Sequence, residues 1–426
     1  MRVFVAGAAG FIGRHIVHAL LDEGHEVVAG VHRASPFRDV PGVIPVSIDF
    51  AHHLRPDDWL PRLSGVDAVI NAVGIIAEQR NSRFDHLHRD APIALFEACR
   101  WVGVRKVIQI SALGADDSAF SRYHLSKKAA DDFLATTDLD WAILQPSLVF
   151  GPGGQSSALF GALAALPLIP LIGDGQQKIQ PVHVDDLTRV VLRLLKPDAP
   201  TRLRLPVVGP EPMTLRECLT VLRHWLGFGK PHFVPVPYRW VLAVADRLGA
   251  VTATPFNGEA LRMLQHGNTG NPHILSDHLG LRAEGLMTAL QTRPVTPAER
   301  IYARLFLIIP ALRYALALLW IWSGLTSAVF FPESESLELL AATGITGSAA
   351  SWVLYGAAAL DVVLGVAWLA RFHVVLIGML QLMLIFGYTA VITVSLPEFW
   401  LHPFAPIAKN IPIIVATLAV MAVEKR

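Results

Sequence analysis

The chain has 426 residues, 53% of them hydrophobic, and its 36 Lys and Arg nearly balance its 35 Asp and Glu. That length exceeds one ordinary domain, and the charge balance supplies no basic field, so nucleic acid is not an expected partner. Cys99 and Cys218 are the only cysteines, which excludes a disulfide framework and a cysteine-built zinc site and suits a reducing compartment.

The opening MRVFVAGAAGFIG is apolar but broken by glycines, and the charged DEGHE follows without a cleavage-type region. It reads as a first strand and turn, not a signal peptide. Up to residue 150, short apolar runs predict strands at Arg2–Ala6, Glu26–Val31, Ile44–Ile48, Ala68–Asn71, Lys106–Ser111 and Trp141–Gln145. Helical stretches at Phe11–Asp22, Ile93–Val102 and Ser126–Thr136 fall between them. Buried strands alternating with helices predict an α/β fold, a doubly wound parallel sheet.

Gly7-Ala8-Ala9-Gly10-Phe11-Ile12-Gly13 follows the first strand and opens a helix. Glycines there permit a tight turn and let the backbone approach a pyrophosphate at the helix N-terminus. The second strand ends in AGVHRAS, with His32, Arg33 and Ser35 and no carboxylate at its tip. A cation and a hydroxyl match a 2′-phosphate, so NADP(H) is favoured over NAD(H).

From Gly151 to about Pro297 prolines and apolar loops predict a smaller substrate region (151–298), partly interleaved with the sheet. PVHVDDLTRVVLRLL fits a strand and a helix capped near Asp185, and RLRLPVVG another short strand. The run Leu159–Gly173 is too short and proline-broken to span a bilayer. It reads as a buried helix and loop, or as a lid meeting the membrane or an apolar substrate. Residues 299–310 read as a linker. Beyond it, Ala311–Phe331, Trp352–Ala370, Val374–Leu396 and a weaker Phe404–Val423 predict an all-α, four-helix transmembrane domain over 311–426.

Arg300, Arg304, Arg313, Arg371 and Lys425–Arg426 flank one side of these spans, whereas the loops with Glu333, Glu335, Glu338 and Glu398 carry no Lys or Arg. The positive-inside rule then puts a multi-pass protein in the inner (cytoplasmic) membrane, with the large domain and the C-terminus in the cytoplasm. Asp361 and Lys409 lie within spans and are expected to pair there, a proton or quinone site being the alternative. Trp320, Trp322, Trp352 and Trp400 suit interfacial belts or packing. No haem histidine pair or iron–sulfur cysteine set is visible.

The motifs GAAGFIG, NAVG, ISALGA, YHLSK, LQPSLVFGPG and PVHVDDL over residues 1–210 resemble the atypical and extended short-chain dehydrogenase/reductases (SDRs). They are most similar to those related to the nucleotide-binding accessory subunit of respiratory complex I. The tail, in LDVVLG and KNIP, resembles the DoxX-like membrane domain. The resemblance implies that Asp49 meets the adenine, that Asn71 and Gly74 run under the cofactor and that Pro146 and Ser147 border the nicotinamide. It also implies that His183 borders the substrate cleft, although a helix-entry hydrogen bond is the plainer reading, as a turn cap is for Asn71.

Tyr123 and Lys127, at i and i+4, share one helix face. A lysine ammonium beside the phenol is expected to draw its pKa of about 10 toward the working range. Tyr123 would then exchange a proton with a carbonyl oxygen, and Lys127 would also hold the nicotinamide ribose. Ser111, twelve positions before Tyr123, is a third candidate, as a substrate-orienting hydroxyl or only a strand terminator. Many extended SDRs place the hydroxyl one or two residues later, where Ala112 and Leu113 stand here. His52, His53, His86 and His88 lack partners at ligand spacing and read as surface imidazoles, and no metal is expected.

The expected function is a membrane-anchored NAD(P)H-dependent reductase acting on a small apolar carbonyl, a quinone or a lipid. The alternatives are a non-catalytic NADPH-binding sensor or assembly protein of a membrane complex, and an NAD-dependent epimerase or dehydratase of nucleotide sugars, for which no clamp is recognisable.

Overall fold

The computed structural model describes residues 1–32, 36–78, 82–249 and 256–424. The chain divides into two compact units, Met1–Ala303 and Arg304–Arg426.

The first unit is built on seven parallel strands: β1 (Arg2–Ala6), β2 (Glu26–Val31), β3 (Val43–Ser47), β4 (Ala68–Asn71), β5 (Lys106–Ile110), β6 (Asp140–Pro146) and β7 (Leu203–Val207). Their order across the sheet is β7-β6-β5-β4-β1-β2-β3. β1 pairs with β2 on one side and β4 on the other, with Ala6 opposite Gly30 and Asn71. The strand order therefore reverses at β1, and a crevice opens beyond the carboxyl ends of β1 and β4.

Helices cover both faces, which is why the central strands read as unbroken apolar runs. On one face α1 (Phe11–Asp22) and α5 (Val184–Leu195) bury Ile16, Val17, Leu20, Leu187, Val190 and Leu194 against the sheet. On the other, α2 (Ala91–Val102) and α3 (Arg122–Ala135) bury Leu95, Ala98, Ala130 and Leu134 together with Trp59.

α3 begins four residues before the predicted Ser126, because the Ser121 hydroxyl accepts the His124 N–H at 3.1 Å and caps the helix there. Tyr123 thereby stands in the first turn. RLRLPVVG does not belong to a separate region: it is β7, parallel to β6 with Leu203 opposite Ala142.

The remainder of the unit comprises α4 (Gln155–Ala165), α6 (Leu215–Trp225), α7 (Tyr238–Gly249), α8 (Gly258–His266), α9 (His273–Leu279) and α10 (Leu286–Gln291). A short strand, Ile169–Ile172, pairs in parallel with Phe233–Val236 between them. Residues 299–310, expected as a linker, hold the boundary between the two units. They are helical, within α11 (Pro297–Leu325). Thr296 and Glu299 explain the start: each backbone N–H bonds the other's side chain, at 2.8 and 3.2 Å, a capping box ahead of a proline that fits the first helical position.

The second unit contains the rest of α11 with α12 (Glu333–Ala342), α13 (Ser348–Leu369), α14 (Val374–Ser395) and α15 (Asn410–Val423). Three stretches, Pro297–Phe330, Ser348–Leu369 and Val374–Ser395, are long and apolar enough to cross a membrane. α15 has 14 residues, about 21 Å at 1.5 Å per residue, short of a bilayer core of about 30 Å. The expected Asp361–Lys409 pair does not form. Lys409 is exposed just before α15, after the Pro406 that interrupts the fourth apolar stretch, and Asp361 accepts a hydrogen bond from Ser323 at 3.2 Å. Arg371, at the turn between α13 and α14, pairs with Glu424 instead. Trp320 is buried with Trp368 in the bundle core, whereas Trp322, Trp352 and Trp400 are exposed. Lys425 and Arg426 lie outside the described residues.

Small residues set the helix spacing, as expected where lipid supplies no hydrophobic drive between helices. A Cβ built on Gly365 would sit 2.7 Å from Ile321 and 2.9 Å from the Ala317 carbonyl, whereas one on Gly356 meets nothing within 4 Å. Gly365→Val should therefore lower the Tm of the bundle by several degrees, and Gly356→Ala should leave it unchanged or slightly raised, as read by thermal unfolding in detergent.

Candidate functional site

The glycine turn sits at the reversal of strand order. Gly7 adopts φ +76°, and a Cβ there would press on Val73 and Ala72 at 3.0–3.1 Å, so the loops after β1 and β4 touch. A Cβ on Gly13 would lie 2.1 Å from the Gly7 carbonyl oxygen, which fixes glycine at that position. Gly10 is the N-cap of α1 and offers no side-chain cap, and no acid stands in the first turn. Phe11, Ile12 and Gly13 thus open an uncapped helix whose amides suit an anion such as a dinucleotide pyrophosphate.

Farther along the sheet edge, His32 closes β2. The Asp49 carboxylate lies 3.8 Å from its Nδ1, takes a hydrogen bond from the Ala51 N–H at 2.9 Å and lies 2.9 Å from His52 Nδ1. Arg33 and Ser35, on which the NADP(H) preference rests, lie outside the described residues. Asn71 closes β4 fully buried. Its amide donates to Gln109 at 2.8 Å, and its side-chain oxygen accepts the Val73 N–H at 3.2 Å. It caps the turn that leads to Gly74.

Tyr123 and Lys127 share the face of α3 that looks onto this crevice. Lys127 is 3% exposed, and its ammonium donates to the carbonyls of Val73 (3.0 Å) and Ile110 (3.1 Å), at the ends of β4 and β5. A Cβ on Gly74 would meet that nitrogen at 3.3 Å, so the loop after β4 and the lysine are in contact. Burial lowers the Lys127 pKa to about 8, against a raising influence from Asp131. Burial, with Asp131 second, pushes Tyr123 up to about 12. The expected downward pull on the phenol is not what the structure displays: burial and then Asp131 both raise it, and the hydroxyl is protonated at neutral pH.

Two residues that were not singled out as site members complete the setting. His88, read from sequence as a surface imidazole, is fully buried in the turn Asp85–Asp90. Its Nε2 accepts the Ile75 N–H at 3.0 Å, so Nδ1 carries the proton and donates to Ser126 at 3.0 Å; Ser126 in turn donates to the Tyr123 carbonyl at 2.8 Å. Burial, then the Lys127 charge, hold His88 neutral, and its ring packs edge-on to Tyr123 at 5.3 Å. Asp131, one turn beyond Lys127, is fully buried and accepts the Ser111 hydroxyl. Burial raises its pKa to about 6, with the Ser111 hydrogen bond and then Lys127 opposing. Ser111 thus has its hydrogen committed to Asp131, which leaves its oxygen able to accept but not to donate toward a carbonyl. The i, i+4 spacing of Tyr123, Lys127 and Asp131 is the sequence signal for this third member.

In front of the dyad is a cavity of about 720 Å³. Ser111 and Tyr123 line it together with Phe11, Ile12 and Pro146, and α4, α6, α7 and α8, the paired short strands Ile169–Ile172 and Phe233–Val236 and the strand-end loops supply the rest. No Lys, Arg, Asp or Glu lines it among the described residues. Leu159, Phe160 and Leu163 from the apolar run after Gly151 form part of one wall. The wall is tied to the dyad, because Glu259 on α8 accepts the backbone N–H of Tyr123 at 3.2 Å.

Ser147 donates to the Gln180 carbonyl and so is spoken for. His183 caps α5, accepting the Asp185 N–H at 3.2 Å, with Arg293 3.0 Å from its other nitrogen. It does not line the cavity, and its helix-entry role is the one the structure displays. Among the described residues no cluster of three His, Cys, Asp or Glu could hold a metal.

Residues 7–157 match the NAD(P)H-binding family and residues 317–418 the DoxX-like family. A ceramide reductase from Caulobacter vibrioides is 29% identical over 261 residues, covering 59% of this chain and 80% of the relative. The mitochondrial NADH dehydrogenase (ubiquinone) 1 alpha subcomplex subunit 9 of Arabidopsis thaliana is 29% identical over 280 residues, covering 59% of this chain and 64% of the relative, a little under two thirds of its length. In structure, a nucleoside-diphosphate-sugar epimerase from Staphylococcus aureus shares the fold with a TM-score of 0.54 at 18% identity, over 68% of this chain and all of that one.

The histidines give a pH test. Burial, with Asp185 opposing it, lowers the His183 pKa to about 4, below its ordinary 6.5. The unfolded chain takes up that proton first, so stability falls as pH drops from 6.5 to 4. The Tm should decline across that window, and His183→Asn should make the decline shallower, as read by thermal scans of the full chain; His88 keeps part of the slope.

Proposed function

We propose that this chain, an extended short-chain dehydrogenase/reductase joined to a DoxX-like helical domain with three candidate transmembrane helices, is a membrane-anchored NAD(P)H-dependent reductase of an apolar carbonyl compound. The observation that carries this reading is Tyr123 in the lining of a large cavity without Lys, Arg, Asp or Glu among the described residues, with the buried Lys127 one turn on along the same helix. The ceramide reductase relative supports the same reading.

The glycine turn, the uncapped start of α1 and the Gly74 strip fit a dinucleotide. When bound, its reduced nicotinamide supplies a hydride, two electrons and one hydrogen, to the carbonyl carbon. Tyr123 gives its hydroxyl proton to the carbonyl oxygen, so that the ketone becomes an alcohol. Lys127 has three hydrogens and spends two on Val73 and Ile110. Its charge then stabilises the phenolate that Tyr123 becomes. Asp131 is the acid that offsets the cost of burying that ammonium, and neutral His88 holds the first turn of α3 through Ser126 without adding a charge beside the phenol.

The uncharged lining argues against nucleotide-sugar epimerase or dehydratase chemistry, since beyond the start of α1, which suits the cofactor, it offers no cation to a second diphosphate among the described residues. A second reading, a non-catalytic nucleotide-binding protein of a membrane complex, draws on one observation: with the Ser111 hydrogen held by Asp131, Tyr123 is left to polarise the carbonyl without a serine donor.

Tyr123→Phe should cut NAD(P)H-dependent ketone reduction by about 10²–10⁴-fold while cofactor binding, read as a thermal shift, is kept. Unchanged turnover would assign the chemistry elsewhere, and no turnover in either protein would favour the second reading. NADPH should raise the Tm of the full chain more than NADH does, through His32 and Arg33; equal shifts would remove the NADP(H) preference.

A further inference from the structure

The cavity does more than exclude charge: its shape and lining select a kind of apolar molecule. Resting on the reductase reading above, we propose that the substrate is an uncharged ketone on a single long alkyl chain, with the carbonyl at Tyr123 and the chain laid along α4, α6, α7 and α8.

Three observations carry this. The polar lining is sparse: Ser111, Tyr123 and His124 come from the β5 end and α3, Ser147 has its hydrogen on the Gln180 carbonyl, Asn268 accepts the Leu148 N–H, and Ser156 adds one hydroxyl, so the ligand's hydrogen-bonding part is small. The rest of the lining is mostly aliphatic and aromatic, with Leu159, Phe160, Leu163, Met263 and Leu264 half-buried and so with surface left for a ligand. The volume, about 720 Å³, lies in the upper part of the roughly 300–1,000 Å³ usual for small-molecule sites, far beyond what a small ketone fills even with a nicotinamide ring beside Phe11 and Pro146.

The far side is open. Trp240 is 63% and Val244 50% exposed, although both line the cavity, so they form its rim on α7. A chain too long for the interior can pass out between them. The rim residues are apolar, and exposed apolar groups around an opening mark a binding site more often than chance surface.

Charge sets the second half of the proposal. Lys127 is not part of the lining, two of its hydrogens are held by backbone carbonyls, and no Lys or Arg reaches the lining among the described residues. An ionised carboxylate on the ligand would be buried without a partner, which is costly. The site therefore takes the neutral ketone and disfavours a 3-oxo acid of equal length.

The test uses the full chain in nanodiscs, NADPH and NADH, and 2-alkanones from four to sixteen carbons. The kcat/KM should rise by about fourfold per methylene, equivalent to about 0.8 kcal/mol, and then level off once the chain passes the rim. A 3-oxo acid of matched length should be at least tenfold poorer. Leu163→Trp, which adds bulk to the α4 wall, should move the plateau to shorter chains, and an intact thermal shift with cofactor would show that this variant is folded. Long-chain 2-alkanols, tested by thermal shift on Tyr123→Phe, read chain binding without turnover. Ketones reduced with no dependence on length, or a preference for the acid, would overturn the inference while the reductase reading stands. Alkanols bound with the stated length dependence, with no ketone reduced by the unsubstituted chain, would uphold the chain site and overturn the reductase reading.

Discussion

The site depends on one buried ammonium. Lys127 reaches from α3 to the last turns of β4 and β5 and bonds a carbonyl at each, so helix and sheet are pinned at the place where the crevice opens. A cation so buried is costly to desolvate, and the arrangement around it answers that cost with two backbone acceptors, Asp131 one turn away and a histidine kept neutral. The position of Tyr123 follows from this, since a residue one turn earlier on the same helix face has little freedom once Lys127 is fixed. The helix cap at Ser121 and the hydrogen bond from Ser126 hold the same turn from its other sides.

The two halves of the first unit divide the work. The parallel sheet supplies rigid strand ends, and from these come the glycine turn, Asn71, Gly74, Ser111 and Pro146. The later helices supply volume and apolar surface. Neither half is a site by itself: the strand ends would leave a bound carbonyl open to water, and the helical walls hold no group able to move a proton. In the second unit the close approach of helices at Gly324 and Gly365 follows the same economy, with backbone brought to backbone where a side chain would not fit.

Much of this was legible in the sequence for identifiable reasons. The glycine turn and the six strands up to residue 150 announce themselves by local pattern, and the YxxxK spacing survives as a shared helix face. The rest was hidden where burial is decided by distant residues. His88 sits between charged neighbours in Asp-His-Leu-His-Arg-Asp, and only its bond to Ser126, 38 residues away, reveals that it is internal. Asp131 and Asp132 are adjacent in sequence, yet one is buried on Ser111 and the other, partly exposed, pairs with Lys128 and Arg204. The cavity was invisible because its lining comes from helices, short strands and strand-end loops scattered between Phe11 and Asn268 with no common motif. The start of α3 and the helix through residues 299–310 were missed for a simpler reason: both are set by capping hydroxyls, Ser121 and Thr296, whose signal is a single residue.

The hydrogen bond between Glu259 and the Tyr123 backbone gives the cavity a mechanical meaning. The helix that forms part of the apolar wall also grips the turn that carries the proton donor, so filling the one steadies the other. On the proposed reductase reading, binding energy gained far from the carbonyl would be spent on alignment as well as on retention, and a truncated ligand would lose turnover along with affinity. Selectivity in such a reductase would be exercised through the rate of the chemical step, by a residue that grips the backbone of the proton donor from outside the lining.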